Sequence, residues 1–288
     1  MNYRVLPENL VSTADIVYNY LTKVIGLSKV QVESSIDVEI DYRPTFYAIT
    51  RDYHIYCVDV SENIYNPTRW NFISDCEHNI RSVKFYIALP SLEFTGFSSE
   101  LKKAKDAGIG IFEVSTQKNH CHPISSALPL SLCGLRKFDK AIFPKRYKET
   151  LVNAEETYRN GEPNQACSMI YGEIELLTRK TAYRAHKKGD FNQPIANPET
   201  LLGKMSWASV LKQLSTSLKR SGSSKYATLT DDMIARTQGI TGHRNQSNHK
   251  PNSLKTRMQR DSQLRTRMET AVDLLLELAN ATKSLRIQ

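Results

Sequence analysis

Arg244-Asn245-Gln246-Ser247-Asn248-His249 brings a guanidinium, a carboxamide and an imidazole into one short run. Asn245 and His249 are four apart, so a helix would put them on one face with Arg244 at its shoulder. Pro251 follows, and the residue before a proline is pushed out of the α region, so a helix passing through Ile240 is expected to end near His249. At such a C-terminus the macrodipole favours a protonated histidine. An imidazole that moves protons, beside a guanidinium that grips phosphate with parallel N–H donors, is suited to cutting a phosphodiester. Taken alone, a short polar run before a proline is an ordinary solvated helix end; its surroundings decide.

Charge is part of those surroundings. The 288 residues carry a formal net charge of +9. Residues 1–146 hold 17 Lys/Arg against 16 Asp/Glu, residues 147–200 hold 7 against 8, and residues 201–288 hold 15 against 6. The excess therefore sits in the segment that carries Arg244 and His249, where it would attract a polyanion such as RNA. Apolar residues make up 40% of the chain, enough for real cores, and no run is long enough to cross a membrane. The opening MNYRVLPENLVSTAD lacks the apolar block of a signal peptide, and five scattered cysteines read as reduced thiols. These features lead us to expect a cytoplasmic protein. No G-x4-G-K-[ST] run occurs, and no cofactor is expected.

Two other groups of residues bear on chemistry. Asp41, Asp59 and Glu62 could gather a divalent cation, since hard cations want carboxylate oxygens. His120-Cys121-His122, with Cys133 downstream and Cys76 and His78 upstream, has some zinc-ligand types. Structural zinc sites use spaced pairs instead, and adjacent residues point apart on most backbones.

The elements that must position these residues divide into two kinds. In the first half the pattern predicts an amphipathic helix over 13–27 and a strand over 30–40. A hairpin of 45–50 with 54–60 follows, then a strand over 81–89, a helix over 98–107 stopped by Gly108, and a buried strand over 109–114. Residues 138–147 read as a linker. From Lys148 the period becomes helical, with helices over 148–160, 164–187, 199–219, 230–249 and 254–285 joined by short connections.

The first-half order, with YRPTFYAIT, YCVDVSE, FYIALP and LKKAKDAGIGIFEV, resembles the PD-(D/E)xK nuclease fold over roughly residues 13–115. That family holds Mg²⁺ with a Pro-Asp pair and a (D/E)-x-K. Here Pro44 is followed by Thr45, and Asp59-Val60 by Ser61, so the resemblance implies a degenerate domain kept for binding or assembly. The second half resembles the HEPN superfamily over about 148–285, through NAEETYRNGEPNQACSMIYGEIELLTRKTAYR and then GHRNQSNHKP before a long terminal helix. Its R-x4-6-H motif is matched by Arg244 and His249, with Asn245 as the polar residue after the arginine.

The two resemblances together imply an α+β N-terminal domain over 1–146, a restriction-endonuclease-like mixed sheet with flanking helices. An all-α HEPN-like bundle over 147–288 follows it. They imply a metal-independent endoribonuclease that is a toxin or antiviral defence effector. It would be a homodimer through the C-terminal bundle, with RNA as substrate and an antitoxin or sensor partner at the N-terminal domain. His249 would be general acid or base, Arg244 would stabilise charge at phosphorus, and Asn245 would position the phosphate or orient His249. Gly239 and Gly242 would let a second helix approach, and Glu173 or Glu175 would orient Arg244. The alternatives are a non-catalytic nucleic-acid-binding adaptor and a Mg-dependent DNA nuclease using Asp41, Asp59 and Glu62.

Overall fold

The computed structural model describes residues 3–36, 42–78, 82–91, 98–219, 226–246 and 252–284. The chain forms two compact units: Met1–Leu135 with Glu156–Pro163 and Lys250–Arg265, and Arg136–Glu155 with Asn164–His249 and Thr266–Gln288. The first carries a mixed sheet with flanking helices; the second is helical.

In the first unit six strands lie in chain order: β1 (Gln31–Val32), β2 (Phe46–Ile49), β3 (Ile55–Val60), β4 (Val83–Pro90), β5 (Gly110–Ser115) and β6 (His120–Ser125). β1, β2 and β3 pair antiparallel, β3, β4 and β5 pair parallel, and β6 returns antiparallel. β3, β4 and β5 are apolar at almost every position and buried on both faces, as the middle of a covered parallel sheet requires. On one face, α1 (Val11–Asn19) and the π-type turn that extends it to Val24 bury Ala14, Val17 and Leu21 against Phe46, Val58 and Ala88. The rings of Tyr56, Tyr86 and Phe112 stack across three strands at 4.6 and 4.7 Å. Gly110 permits that stack, because a Cβ there would stand 2.3 Å from the Tyr86 ring.

The hairpin, β4, β5 and α3 (Ser98–Asp106) follow the sequence reading closely. Two elements do not. α2 (Pro67–His78) has no apolar stripe, yet it has a start signal: Asn66 Oδ1 accepts from Arg69 N at 3.3 Å and Pro67 is its first residue. It stacks Phe72 on Tyr42 at 4.5 Å, on the face opposite α1. β6 contains Pro123, which is tolerated because β6 is an edge strand. The strand expected over 30–40 is described only at Gln31–Val32, where Glu33 turns to positive φ; residues 37–41 lie outside the described set.

The second unit holds most of α4 (Lys145–Arg159), α5 (Pro163–Lys187), α6 (Trp207–Thr216), α7 (Asp231–Gln246) and the later part of α8 (Leu254–Ser284). Their inner faces bury Leu151, Ile170, Ile174, Leu211, Ile234 and Leu275. The region read as a linker is instead packed: Phe138, Phe143 and Tyr147 are buried, and Lys140–Ile142 is a 3-10 turn capped by Asp139. The single helix expected over 199–219 is broken. A 3-10 turn at Pro198–Leu201 precedes α6, which Ser206 caps by accepting from Ser209 N. Arg179 of α5 donates to the carbonyls of Leu201 (3.3 Å) and Met205 (2.8 Å), and Trp207 Nε1 donates to Thr178 Oγ1 at 3.0 Å. The two Arg179 bonds satisfy backbone carbonyls that a continuous helix would have used, and the Trp207 bond ties the start of α6 to α5.

Candidate functional site

α7 carries the described part of the candidate site. Thr230 Oγ1 accepts from Met233 N at 3.2 Å, and Asp231 and Asp232 fill the first turn, where the macrodipole favours negative charge. Ile234, Thr237 and Ile240 turn inward, and Arg236 is anchored to Glu277 of α8 and to Asp232. Arg244 and Asn245 then fall in the last turn of the described helix. His249 lies outside the described residues, as does Pro251. His243, one position before the motif, is half-buried; burial first, then the charge of Arg267, lowers its pKa. Both influences disfavour its protonated form.

Gly239 and Gly242 are exposed, and a Cβ on either would meet nothing within 4 Å. Packing among the described residues does not require them, although each costs a helix about 1 kcal/mol relative to alanine. Glu173 accepts from Thr150 Oγ1 at 3.1 Å, and Glu175 clasps Arg179 at 2.6 Å.

In the first unit, Asp59 is already matched to a cation supplied by the protein. Arg69 Nε donates to Asp59 Oδ2 at 2.8 Å, Tyr42 Oη donates to the same oxygen, and Thr45 N donates to Oδ1 at 3.3 Å. Arg69 is 2% exposed, and its Nη1 also serves the carbonyls of Asn63 and Ile64. Thr45 Oγ1 accepts from Val60 N, and Glu62 accepts from Asn9. A divalent ion at Asp59 would have to displace a buried guanidinium. Asp41 lies outside the described residues. The sequence reading missed Arg69; the Asn66-Pro67 helix start was the signal that would have put it beside the strand.

On β6, Cys121 is buried while His120 and His122 are exposed on the other face with rings 6.2 Å apart, as alternation dictates. Among the described residues no group of three or more His, Cys, Asp or Glu could hold a metal ion.

A second buried polar cluster was not anticipated. Ser82 Oγ donates to Asp261 of α8, and His54 Nδ1 lies 2.7 Å from Ser82 Oγ. Because the serine proton goes to the carboxylate, the imidazole must donate. Arg257 stands 3.6 Å from Asp261 and donates through Nε to the Asp52 carbonyl at 2.8 Å. These are the side-chain types of a hydrolytic triad in the wrong order. Ser82 is fully buried, and it lies between the other two, in the place where a triad puts its histidine. The cluster fastens the start of α8 to the ends of β3 and β4. Asp261 prolongs the inner stripe of Leu264 and Met268, so a carboxylate on a core-facing position was the available sequence signal.

Burial, aided by Arg257 and Lys84, lowers the His54 pKa to about 3. Asp261 is shifted the other way, upward, by burial. Between the unfolded value near 6.5 and about 3, the unfolded chain binds a proton at His54 that the folded chain refuses, so stability falls as pH falls through that window. The expected loss from this group between pH 7 and pH 5 is about 2 kcal/mol. Denaturant titrations at the two pH values, on the native protein and on His54→Gln, would measure it. An equal pH dependence in both proteins would disprove the assignment.

No family model, curated protein or solved structure matches the chain.

Proposed function

We propose that the protein is a metal-independent endoribonuclease of the HEPN kind. The observation that supports this reading is the position of Arg244 and Asn245 in the final described turn of α7, the helix before the last in a helical unit. The chemistry needs no metal-bound water, because RNA supplies its own nucleophile. The 2′-hydroxyl attacks phosphorus in line, the P–O5′ bond breaks, and a 2′,3′-cyclic phosphate remains. His249 moves one proton in this step, Arg244 neutralises the charge that grows on the phosphoryl oxygens, and Asn245 positions the phosphate. A second proton-transfer group is required, and His249 of a partner subunit would supply it in a homodimer. The open, glycine-bearing face of α7 beside the motif leaves room for such a partner.

The first unit would serve as the docking or sensing part, bound by an antitoxin or a sensor, and the whole would act as a toxin or antiviral defence effector. The Arg69–Asp59 pair argues against the DNA-nuclease alternative, since it occupies the carboxylate that such a site would use. Among the described residues no helix is long and apolar enough to cross a membrane.

The test is incubation of the full chain with single-stranded RNA and with DNA, each with and without EDTA. RNA cleavage that survives EDTA and leaves 2′,3′-cyclic phosphate ends is expected, from a protein that light scattering weighs as a dimer. RNA binding without cleavage would select the adaptor alternative, and EDTA-sensitive DNA cleavage would select the metal nuclease.

A further inference from the structure

The second unit contains a half-open cleft of about 280 Å³. Four of its lining residues are cations: Arg146 at the start of α4, Lys180 and Arg184 in the later part of α5, and Lys283 near the end of α8. Among the described residues no carboxylate lines it. The floor is apolar, with Leu177 and Ala279, and the Thr181 and Thr282 hydroxyls donate to carbonyls of their own helices.

Arg184 and Lys283, in the last turns of α5 and α8, have an ordinary explanation, since cations there complement the macrodipole. Arg146 does not. It stands in the first turn of a 15-residue helix, where the macrodipole favours anions, and it follows Lys145. Its guanidinium lies 4.3 Å from the Tyr147 ring centroid and donates to the Tyr147 hydroxyl, so it is oriented without a carboxylate. The electrostatic influences on it include attraction from Glu173 and repulsion from Arg184. Among the described residues no acidic side chain forms an ion pair with Arg146, Lys180 or Lys283. Gathering like charges around a concave surface costs energy that a bound polyanion returns. The cleft is also separate from the α7 motif. His243 lies within electrostatic reach of Arg267 on α8, and Lys283 is about 24 Å further along that helix at 1.5 Å per residue.

We propose that this cleft binds an oligophosphate, an anion with two or three phosphate groups in series. Arg146, Lys180 and Lys283 together call for about three negative charges. The volume sits at the small end of ligand pockets, about 300–1,000 Å³, which suits a short phosphate chain with any attached group projecting through the open side. The proposal goes beyond the nuclease reading and does not depend on it.

Isothermal titration of the full chain at fixed ionic strength would test it, with tripolyphosphate, ATP, AMP and adenosine as ligands. Tripolyphosphate and ATP should bind, AMP should bind at least about tenfold more weakly, and adenosine should not bind. ATP binding tighter than tripolyphosphate would identify a nucleotide as the source; equal binding would identify the phosphate chain alone. Arg146→Ala and Lys180→Ala, both at exposed positions, should each weaken binding about tenfold, and Lys212→Ala on exposed α6 surface should not. Unliganded melting temperatures would verify that the variants fold. No binding of either oligophosphate would overturn the proposal, as would equal losses in all three variants. It would also fall if an RNA lacking terminal phosphates bound with the same dependence on Arg146 and Lys180 while tripolyphosphate did not bind. RNA cleavage is not the readout, so failure here leaves the nuclease reading standing.

Discussion

RNA cleavage by the His249→Ala protein is expected to fall by about 10²–10⁴-fold, the loss typical of a general acid–base group. Arg244→Ala should lose a comparable factor, because the charge that develops at phosphorus then has no guanidinium to meet it. Arg244→Lys should restore little, since an ammonium cannot make two parallel contacts to one phosphate. Asn245→Ala should be milder. Melting temperatures should barely move in these variants, since nothing in the proposed chemistry asks the motif to support the core. The informative measurement is therefore the single-turnover cleavage rate of each folded variant, made in EDTA. A His249→Ala protein that cuts RNA at the native rate would end the catalytic reading. His243 offers a control: burial and Arg267 disfavour its protonated form and the proposed chemistry does not use it, so His243→Gln should leave the pH profile of cleavage unchanged.

Asp59→Ala should have a large effect of a different kind. Arg69 is buried and donates to Asp59 at 2.8 Å, so removing the carboxylate strands a guanidinium away from water. Breaking one side of a buried pair costs about 3–5 kcal/mol, a large fraction of the stability of a domain. Replacing both partners, as Asp59→Leu with Arg69→Met, should recover part of that loss, because no uncompensated charge is left behind while Tyr42 Oη, Thr45 N and the Asn63 and Ile64 carbonyls lose a partner. Denaturant unfolding of the three variants would measure this, and a loss below about 1 kcal/mol for Asp59→Ala would mean that the pair is solvent-screened. Below the variant's melting temperature RNA cleavage should persist, because the proposed chemistry does not use Asp59. Loss of cleavage in the folded variant would point back to a metal at this strand.

These two expectations draw on different layers of information. Arg244, Asn245 and His249 are legible as a motif because their meaning lies in local spacing, and the helix that carries the first two forms from a local pattern of caps and apolar residues. The central strands were legible for a similar reason. From Phe85 to Leu89 every residue is apolar or aromatic, as a strand covered on both faces requires. The long helices α5 and α8 announce themselves by stripes such as Ile170, Ile174 and Leu177, repeated often enough to survive interruption.

Where local pattern was weak, packing decided. α2 has no apolar stripe, and its position is fixed by Phe72 stacking on Tyr42 and by Arg69 reaching a carboxylate ten residues earlier. The apolar period of 199–219 suits a single helix, but Arg179 and Thr178, more than twenty residues away, hold the broken form. The contact between Ser82 and Asp261 spans 179 residues. The sequence alone determined which segments could be helix or strand and which short motif could do chemistry, because those follow from neighbours along the chain. Only the tertiary structure decided which charges meet: Arg69 with Asp59, Asp261 with Ser82, and four cations around one cleft. Such pairings depend on side chains brought together by burying apolar faces, and neither spacing nor composition encodes the partner.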